Sequence, residues 1–242
     1  MRYFYKYLYL TQSSDIFNTI NYRKLSSKTK LPGEQIRKLG QERQQSAMLR
    51  YALAVGAFVG TVLLFSMLGT SSLGVLLSVA GLAGSYYLYR NGQHLMKRAG
   101  DAQRGAKAES EVAALLRSLE RKGWQVEYNL RIKRWGDADV VLRSPSCNWY
   151  VIDVKSHGGT KVYEGDRLRK RYGRNIYDFK EGNLIDKVKG QAKEVKSLKG
   201  ARWVTALLCF TKGDVDISGN EVGGVYVVTA ANLVSTLLQL DR

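Results

Sequence analysis

Two apolar segments in the C-terminal half of the chain contain charged residues where apolar side chains are expected. Asp139 precedes a Val-Val-Leu run, and Asp153 and Lys155 interrupt the apolar run that begins at Tyr150. Side chains two residues apart on a strand share a face, so Asp153 and Lys155 project together. A buried charge is costly unless it is paired or binds a metal. The pattern indicates either a polar site within a sheet or a structural Asp153–Lys155 ion pair.

Two residues on predicted helices fit the same site. Glu109 lies three residues before Val112 and seven before Leu116, so it shares their apolar stripe. Gln191, three residues after Val188, lies on the inner face of a second helix. A capping role for Glu109 and a hydrogen bond from Gln191 to the backbone are the alternative readings.

The chemistry that suits these residues is metal-dependent phosphodiester hydrolysis. Carboxylates and a backbone carbonyl such as that of Val154 are the hard oxygen ligands that Mg²⁺ or Mn²⁺ takes. Such a metal lowers the pKa of a bound water and offsets the charge that develops on a phosphate. The expected metal ligands are Glu109, Asp139, Asp153 and Val154. The expected catalytic residues are Glu109, Asp139, Asp153, Lys155 and Gln191.

The elements that must position these residues can be read from apolar spacing. A helix is predicted over residues 101–122, followed by strands near 126–132, 139–142, 150–154 and 161–163. The stretch 167–174 is predicted to be a basic loop. A second helix over 184–198, strands over 203–210 and 225–228, and a last helix over 231–240 follow. A mixed α/β sheet flanked by helices is the compact solution for this order.

In this order, the residues resemble the nuclease-related domain (NERD) family of the PD-(D/E)XK nuclease superfamily. The likeness rests on Gly105-Ala106-Lys107-Ala108-Glu109, Asp139-Val140-Val141-Leu142, Asp153-Val154-Lys155 and Gln191. Ala108 replaces the second glycine of the family pattern, and Asp153 replaces the Glu of many members. The resemblance implies a restriction-endonuclease-like αβββαβ core, dependence on a divalent metal, and nucleic acid as substrate.

The charge of the chain suits such a substrate. The formal net charge is +17, and a basic cluster predicts a surface that follows a nucleic-acid backbone. Its members are Arg167, Arg169, Lys170, Arg171 and Arg174. A solvated loop or a contact with anionic lipid headgroups explains the same cluster equally well. His157 is interpreted as a solvated loop histidine, and the two cysteines, Cys147 and Cys209, as buried free thiols.

A stretch of 39 residues, 51–89, contains no Lys, Arg, Asp, Glu or His. It predicts a transmembrane helical hairpin within residues 50–90, with helices at about 51–68 and 73–89 joined by a turn at Gly69. Small residues would allow close helix packing or a homodimer: Gly56 and Gly60 in the first helix, and Gly74, Ser78, Gly81 and Gly84 in the second. The positive-inside rule then places both basic flanks, and so both termini, in the cytoplasm. A buried helix pair in a soluble protein is the alternative.

The predicted organisation is a basic cytoplasmic segment (1–49), the hairpin (50–90), a linker (91–104) and a nuclease-like domain (105–242). The predicted function is a metal-dependent nuclease that cleaves nucleic acid, with DNA expected, at the inner membrane of a bacterium. Its partners would be nucleic acid and membrane lipid. The alternative function is a catalytically inactive domain that binds nucleic acid or another partner at the membrane.

Overall fold

The computed structural model describes residues 32–242, which form two compact units, residues 33–108 and residues 109–242. Of the predicted N-terminal segment 1–49, residues 1–31 lie outside the described part. The two units differ in kind, because the first is entirely helical and the second is a mixed α/β fold.

The first unit is a helical hairpin whose helices are longer than the sequence predicted. Helix α1 covers Glu34–Leu68, and α2 covers Ser72–Glu120 and continues into the second unit. The predicted linker 91–104 and residues 34–49 are therefore helical. The two helices are antiparallel neighbours: the Ser85 hydroxyl donates to the Ala54 carbonyl at 2.8 Å, and the Tyr51 and Tyr89 rings lie 5.8 Å apart.

Both hairpin helices are long and apolar enough to cross a membrane. Their large apolar side chains point outward, as at Leu63 and Met67, which are 59% and 82% exposed. Of the small residues predicted to allow close helix packing, Gly81 lies at a close contact between the two helices. A Cβ at Gly81 would lie 2.1 Å from the Thr61 hydroxyl, whereas Gly56 and Gly60 have open space around them. A homodimer through the latter pair stays a prediction.

The second unit is built on a six-stranded mixed sheet, which confirms the predicted fold class. Its strands are β1 (Gln125–Leu130), β2 (Ala138–Arg143), β3 (Trp149–Lys155), β7 (Val204–Phe210), β9 (Glu221–Val222) and β10 (Val225–Thr229). The spatial order is β1-β2-β3-β7-β10-β9. Strands β3, β7 and β10 run parallel to one another, while β1, β2 and β9 are antiparallel to their neighbours.

The domain also contains a smaller four-stranded sheet. Three of its strands lie between β3 and β7 in the chain, and the fourth, β8, follows β7. The sheet comprises β4 (Thr160–Glu164), β5 (Arg167–Tyr172), β6 (Asn175–Tyr177) and β8 (Val215–Asp216), in the order β6-β5-β4-β8. The prediction of a basic loop over 167–174 was wrong, because six of these residues form β5. Leu168 is the one buried residue of β5, so the strand depends on its backbone pairing to β4 and β6 rather than on apolar spacing.

Two helices of the second unit pack on the large sheet. Helix α3 (Leu184–Lys199) places Leu184, Val188 and Val195 in the same apolar core as the inward side chains of β3 and β7. Asn183 caps this helix by accepting from the Ile185 and Asp186 amides, and Gly200 ends it with a positive φ. Helix α4 (Ala230–Leu240) packs on β7 and β10. A short 3₁₀ turn covers Ser218–Asn220.

The two cysteines differ in burial. Cys209 is fully buried on β7, as predicted, and burial raises its thiol pKa to about 12. Cys147 is exposed in the β2–β3 turn at a φ of 66°, so its predicted burial was wrong. The apolar context that suggested burial ends with β2 at Arg143, four residues before the thiol.

Candidate functional site

Asp153 is the most buried acid of the predicted site, at 1% exposed. It lies on β3 and contacts side chains of α3, and it shares a strand face with Lys155, as the strand parity predicted. One carboxylate oxygen forms an ion pair with Lys155, two residues along the same strand. The other accepts from Lys187 Nζ at 3.0 Å and from Gln191 Nε2 at 3.4 Å. Asp153 is therefore held by one lysine of its own strand and by two side chains of the facing helix.

Asp139 lies opposite Asp153 across the β2–β3 ladder. The antiparallel register pairs Val140 with Ile152, so the next pair in register is Asp139 with Asp153. Asp139 Oδ2 accepts from the Val154 amide at 2.7 Å. Side chains directly opposite each other on antiparallel strands lie on the same face. The ladder thus brings the two carboxylates together at the point where β2 begins.

The electrostatics of the two acids differ. Burial, with smaller contributions from the charges of Asp153 and Glu109, raises the pKa of Asp139 to about 7. Burial alone would also raise the pKa of Asp153, but Lys155 and Lys187 hold it below its usual range. Burial would lower the pKa of Lys155, yet Asp153 and Asp139 outweigh it and raise that pKa. Without a cation, the site is an ionised Asp153–lysine cluster beside an Asp139 whose pKa of about 7 leaves it partly protonated at neutral pH.

The two helical residues of the prediction also lie inside. Glu109, on α2, is 6% exposed and is close enough to raise the pKa of Asp139. Gln191 is fully buried on α3, and its Nε2 also donates to the Asp137 carbonyl at 3.1 Å. The Gln191 Oε1 atom is buried and has no hydrogen-bond partner within residues 32–242. A buried oxygen of this kind is an acceptor that a water or an ion can satisfy.

Three further residues lie around the site, and sequence reasoning had not found them in these positions. Lys187 is four residues before Gln191, so the same helical spacing that selected Gln191 also selects Lys187. The sequence did not single out Lys187, because α3 contains several other lysines. His157 Nε2 lies 2.7 Å from Glu181 Oε1, and its ring packs on Phe179. His157 is therefore a hydrogen-bond partner of Glu181 as well as a loop residue. A backbone hydrogen bond, the contact with His157 and the charge of Lys155 hold the Glu181 pKa below its usual range, against the effect of burial.

The loops that follow β3 and β7 are tied together by Lys161, a fully buried lysine on β4. Its ammonium group donates to the carbonyls of His157 and Gly159, at 2.7 and 3.0 Å, and to that of Lys212. Its Nζ also lies 4.5 Å from the centre of the Phe210 ring. Three carbonyls match the three donors of an ammonium group. Lys161 thus fixes the backbone directly after the strand that carries Asp153 and Lys155.

The predicted nucleic-acid-binding residues lie on and beside β5. Arg169 pairs with Asp178 at 2.9 Å, Arg171 pairs with Asp216 at 2.7 Å, and Lys170 Nζ lies 5.5 Å from the Phe179 ring centre. Arg167 and Arg174 are exposed. Three of the five cationic groups therefore already have partners within the domain, and a role in binding nucleic acid stays a prediction for all five.

The oxygen atoms at the site suit a magnesium-like cation in part. Within the described residues, no three acids, histidines or cysteines lie together as a complete metal-binding group. The opposed pair Asp139 and Asp153, the Val154 carbonyl and the unsatisfied Gln191 oxygen are all hard oxygen donors. Mg²⁺ in nucleotide and polymerase sites commonly takes one or two carboxylates and completes its shell with water and substrate phosphate. The donor set fits that mode and not an all-protein cage.

Comparison with known proteins adds one match. Residues 104–211 match the family described as "Nuclease-related domain", NERD. This range contains Glu109, both strand acids, Lys155 and α3. No curated protein and no solved structure matches the chain.

Proposed function

We propose that this chain, whose residues 104–211 match the nuclease-related domain family, is a metal-dependent nuclease with a site centred on Asp139, Asp153 and Lys155. The reaction is hydrolysis of phosphodiester bonds in nucleic acid, with DNA as the expected substrate. The observation that carries the proposal is the buried Asp153, held by two lysines and lying opposite an acid whose pKa is about 7. Strongly perturbed, mutually dependent titrating groups are typical of catalytic sites.

Each residue has a role that follows from its contacts. Asp139, Asp153, the Val154 carbonyl and Glu109 would hold Mg²⁺ or Mn²⁺. When bound, such a cation lowers the pKa of a water and offsets charge on the phosphate. Lys155 is placed to hold the attacking water or to neutralise a phosphate oxygen. Lys187, whose side chain is 33% exposed, offers a second ammonium group to the phosphate. Gln191 positions Asp153 through its amide nitrogen.

Under this proposal, the helical unit is the membrane anchor of the enzyme. Its two helices would cross a bacterial inner membrane as a hairpin, with lipid around the exposed Leu and Val side chains. The positive-inside rule puts both termini in the cytoplasm, because the uncharged turn at Gly69 leaves the basic residues on the other side. Cytoplasmic nucleic acid would then be the accessible substrate.

The proposal is tested by cleavage with the full-length protein in detergent micelles. Linear and circular DNA and a single-stranded RNA are incubated with Mg²⁺, Mn²⁺ or EDTA. We compare wild type, Asp153→Asn, and Asp178→Asn, an exposed acid that also pairs with a basic side chain. Cleavage that needs metal, falls at least ~100-fold in Asp153→Asn and persists in Asp178→Asn supports the proposal. Equal cleavage by wild type and Asp153→Asn would contradict it.

The alternative function is a catalytically inactive domain that binds nucleic acid or a partner at the membrane. The two lysines on Asp153 favour it, because they compensate that charge without any metal. Binding of nucleic acid without cleavage in every metal and with every substrate would select this alternative.

A further inference from the structure

The loop between β1 and β2 has features that the proposed catalytic roles do not use. It runs through residues 131–137 and presents three exposed side chains in succession: Lys133, Arg134 and Trp135. Trp135 is 42% exposed. An exposed indole beside two cations combines the two kinds of group that bind single-stranded nucleic acid.

The backbone of this loop is fixed to helix α3. The Glu194 carboxylate accepts from the Lys133 amide at 2.7 Å and from the Arg134 amide at 3.1 Å. Both side chains are therefore free to point outward while their peptide groups are held. A loop fixed in this way presents its side chains at a smaller entropic cost on binding than a flexible one does.

The indole ring is seated on a glycine of the same helix. A Cβ built on Gly190 would lie 2.2 Å from Cε2 of Trp135, so no other residue at 190 is compatible with the ring position. Trp135 is thus placed by close packing against α3, and a substantial part of it still faces solvent.

The loop is joined to the acidic site through one side chain. Gln191 Nε2 lies 3.4 Å from the Trp135 carbonyl, 3.1 Å from the Asp137 carbonyl and 3.4 Å from Asp153 Oδ1. One amide nitrogen therefore contacts both the loop and the central acid. The loop backbone and the central acid are therefore held by the same side chain, and Trp135 packs on Gly190, the residue next to Gln191.

We propose that this loop is a binding surface for single-stranded nucleic acid: a base stacks on Trp135, and Lys133 and Arg134 bind the neighbouring phosphates. The inference rests on the proposed function for its choice of partner. It commits to a single strand, because base faces within a duplex are covered by their neighbours and only an unpaired or terminal base can stack on a side chain. The substrate class is thereby narrowed to strands with unpaired segments or frayed ends.

Binding is measured in EDTA, so that cleavage does not contribute. A fluorescein-labelled oligothymidylate of about 20 nucleotides is titrated with the full-length protein in micelles, and anisotropy gives Kd. Trp135→Ala is expected to weaken binding about 5- to 100-fold, and Trp135→Phe less, because a smaller ring still stacks. Trp203→Ala is the matched control, since Trp203 is 69% exposed and lies before β7, at the end of the sheet away from Lys155. It should bind as wild type does.

Two further variants test the position of the indole ring and the contribution of the two cations. Gly190→Ala keeps Trp135 and improves helix propensity, but its methyl group displaces the indole. We expect it to weaken binding in the same direction as Trp135→Ala. The double variant Lys133→Gln, Arg134→Gln should reduce the slope of log Kd against log salt concentration by about 1.4, at about 0.7 for each phosphate of a single strand. Trp135→Ala should leave that slope unchanged.

The outcomes distinguish a failure of this inference from a failure of the proposed function. Wild-type Kd in both Trp135→Ala and Gly190→Ala would do so, even if the protein cleaves DNA, and the proposed function would then stand without it. Binding that depends on Trp135 without cleavage in any metal would instead refute the proposed nuclease and leave this surface in place. Brominated-lipid vesicles test a membrane role: quenching that disappears in Trp135→Phe would place the indole in lipid and overturn the inference.

Discussion

Residues 33–108 and residues 109–242 depart from the usual distribution of side chains in opposite ways. The helical unit exposes large apolar side chains such as Leu63 and buries small ones such as Ala54. The α/β unit buries its apolar residues but also buries the charged groups of Asp153 and Lys161. Exposed apolar surface of this extent marks contact with a membrane or partner, and buried charge requires ions or hydrogen bonds. The exposed apolar side chains of the first unit therefore need an apolar partner or a membrane around them, and the buried charges of the second need ions or hydrogen bonds.

The largest effect is expected from removing the central buried acid. Asp153→Ala leaves Lys155 and Lys187 without their shared partner, and we expect a loss of about 3–5 kcal/mol in the free energy of unfolding. The double variant Asp153→Leu, Lys155→Met replaces the pair by apolar groups and should recover most of that loss, yet remain unable to cleave. Denaturant unfolding of the full-length protein in micelles measures both. A stable and active double variant would show that the pair is not the site.

The strand residues of this site could be predicted from the sequence, because period-two alternation shows which strand residues share a face. Asp139, Asp153 and Lys155 interrupt apolar runs, and the structure places them together. Nothing in the sequence was a reason to choose Lys187 or Glu181 as site residues, since α3 contains several lysines and Glu181 lies in a polar connection. Their partners are brought to them only by tertiary packing.

The same reasoning explains the errors in the predicted elements. Strand β5 has a single buried residue, Leu168, so no apolar period indicated a strand over 167–172. Residues 91–104 are polar and were taken as a linker, although α2 passes through them without a break. Polar helices and strands are stabilised by neighbours that the local sequence does not reveal. The Trp135 loop was overlooked for this reason too, because its position depends on Gly190 and Glu194, more than fifty residues away.

The second prediction concerns the exposed apolar side chains of the helical unit. It compares two leucines of nearly equal exposure, one in each unit. Leu63, in α1, is 59% exposed, and Leu198, in α3, is 58% exposed. Leu63→Arg is expected to cost about 2.5–3.5 kcal/mol of membrane insertion, whereas Leu198→Arg should change stability by less than about 0.5 kcal/mol. The measurement is the fraction of each variant that stays with membranes after alkaline washing. Equal retention of both variants would contradict the membrane assignment of the hairpin.

A third prediction concerns Lys161, a buried charge of the α/β unit that is not among the proposed catalytic residues. Lys161→Met removes the donors to three carbonyls and should lower the free energy of unfolding by about 2–3 kcal/mol. Lys170→Met, on the neighbouring strand, is the control and should cost less than about 1 kcal/mol, because Lys170 is only partly buried and contacts a ring. A Lys161→Met protein as stable as the control would mean that the loops after β3 and β7 are held by other contacts.

The smallest effect concerns pH. The pKa of Asp139 is about 7 in the folded protein and about 4 in the unfolded chain. Between these values the folded state holds a proton that the unfolded state releases, so this group stabilises the metal-free protein at low pH and the stabilisation is lost as pH rises through 7. The Tm in EDTA should therefore fall by a few degrees from pH 5.5 to 8. Asp139→Asn should remove this part of the dependence, and an identical pH profile in both proteins would refute the assignment.

The most direct test of the central claim, that the opposed acids are a cation site, is Mn²⁺ binding followed by electron paramagnetic resonance in the full-length protein. We predict a site that is lost in both Asp139→Asn and Asp153→Asn, and that binds more tightly at pH 8 than at pH 6, because the cation displaces the Asp139 proton. Retention of the same Mn²⁺ affinity in either variant would contradict the claim, and Asp153 would then be a structural partner of its two lysines.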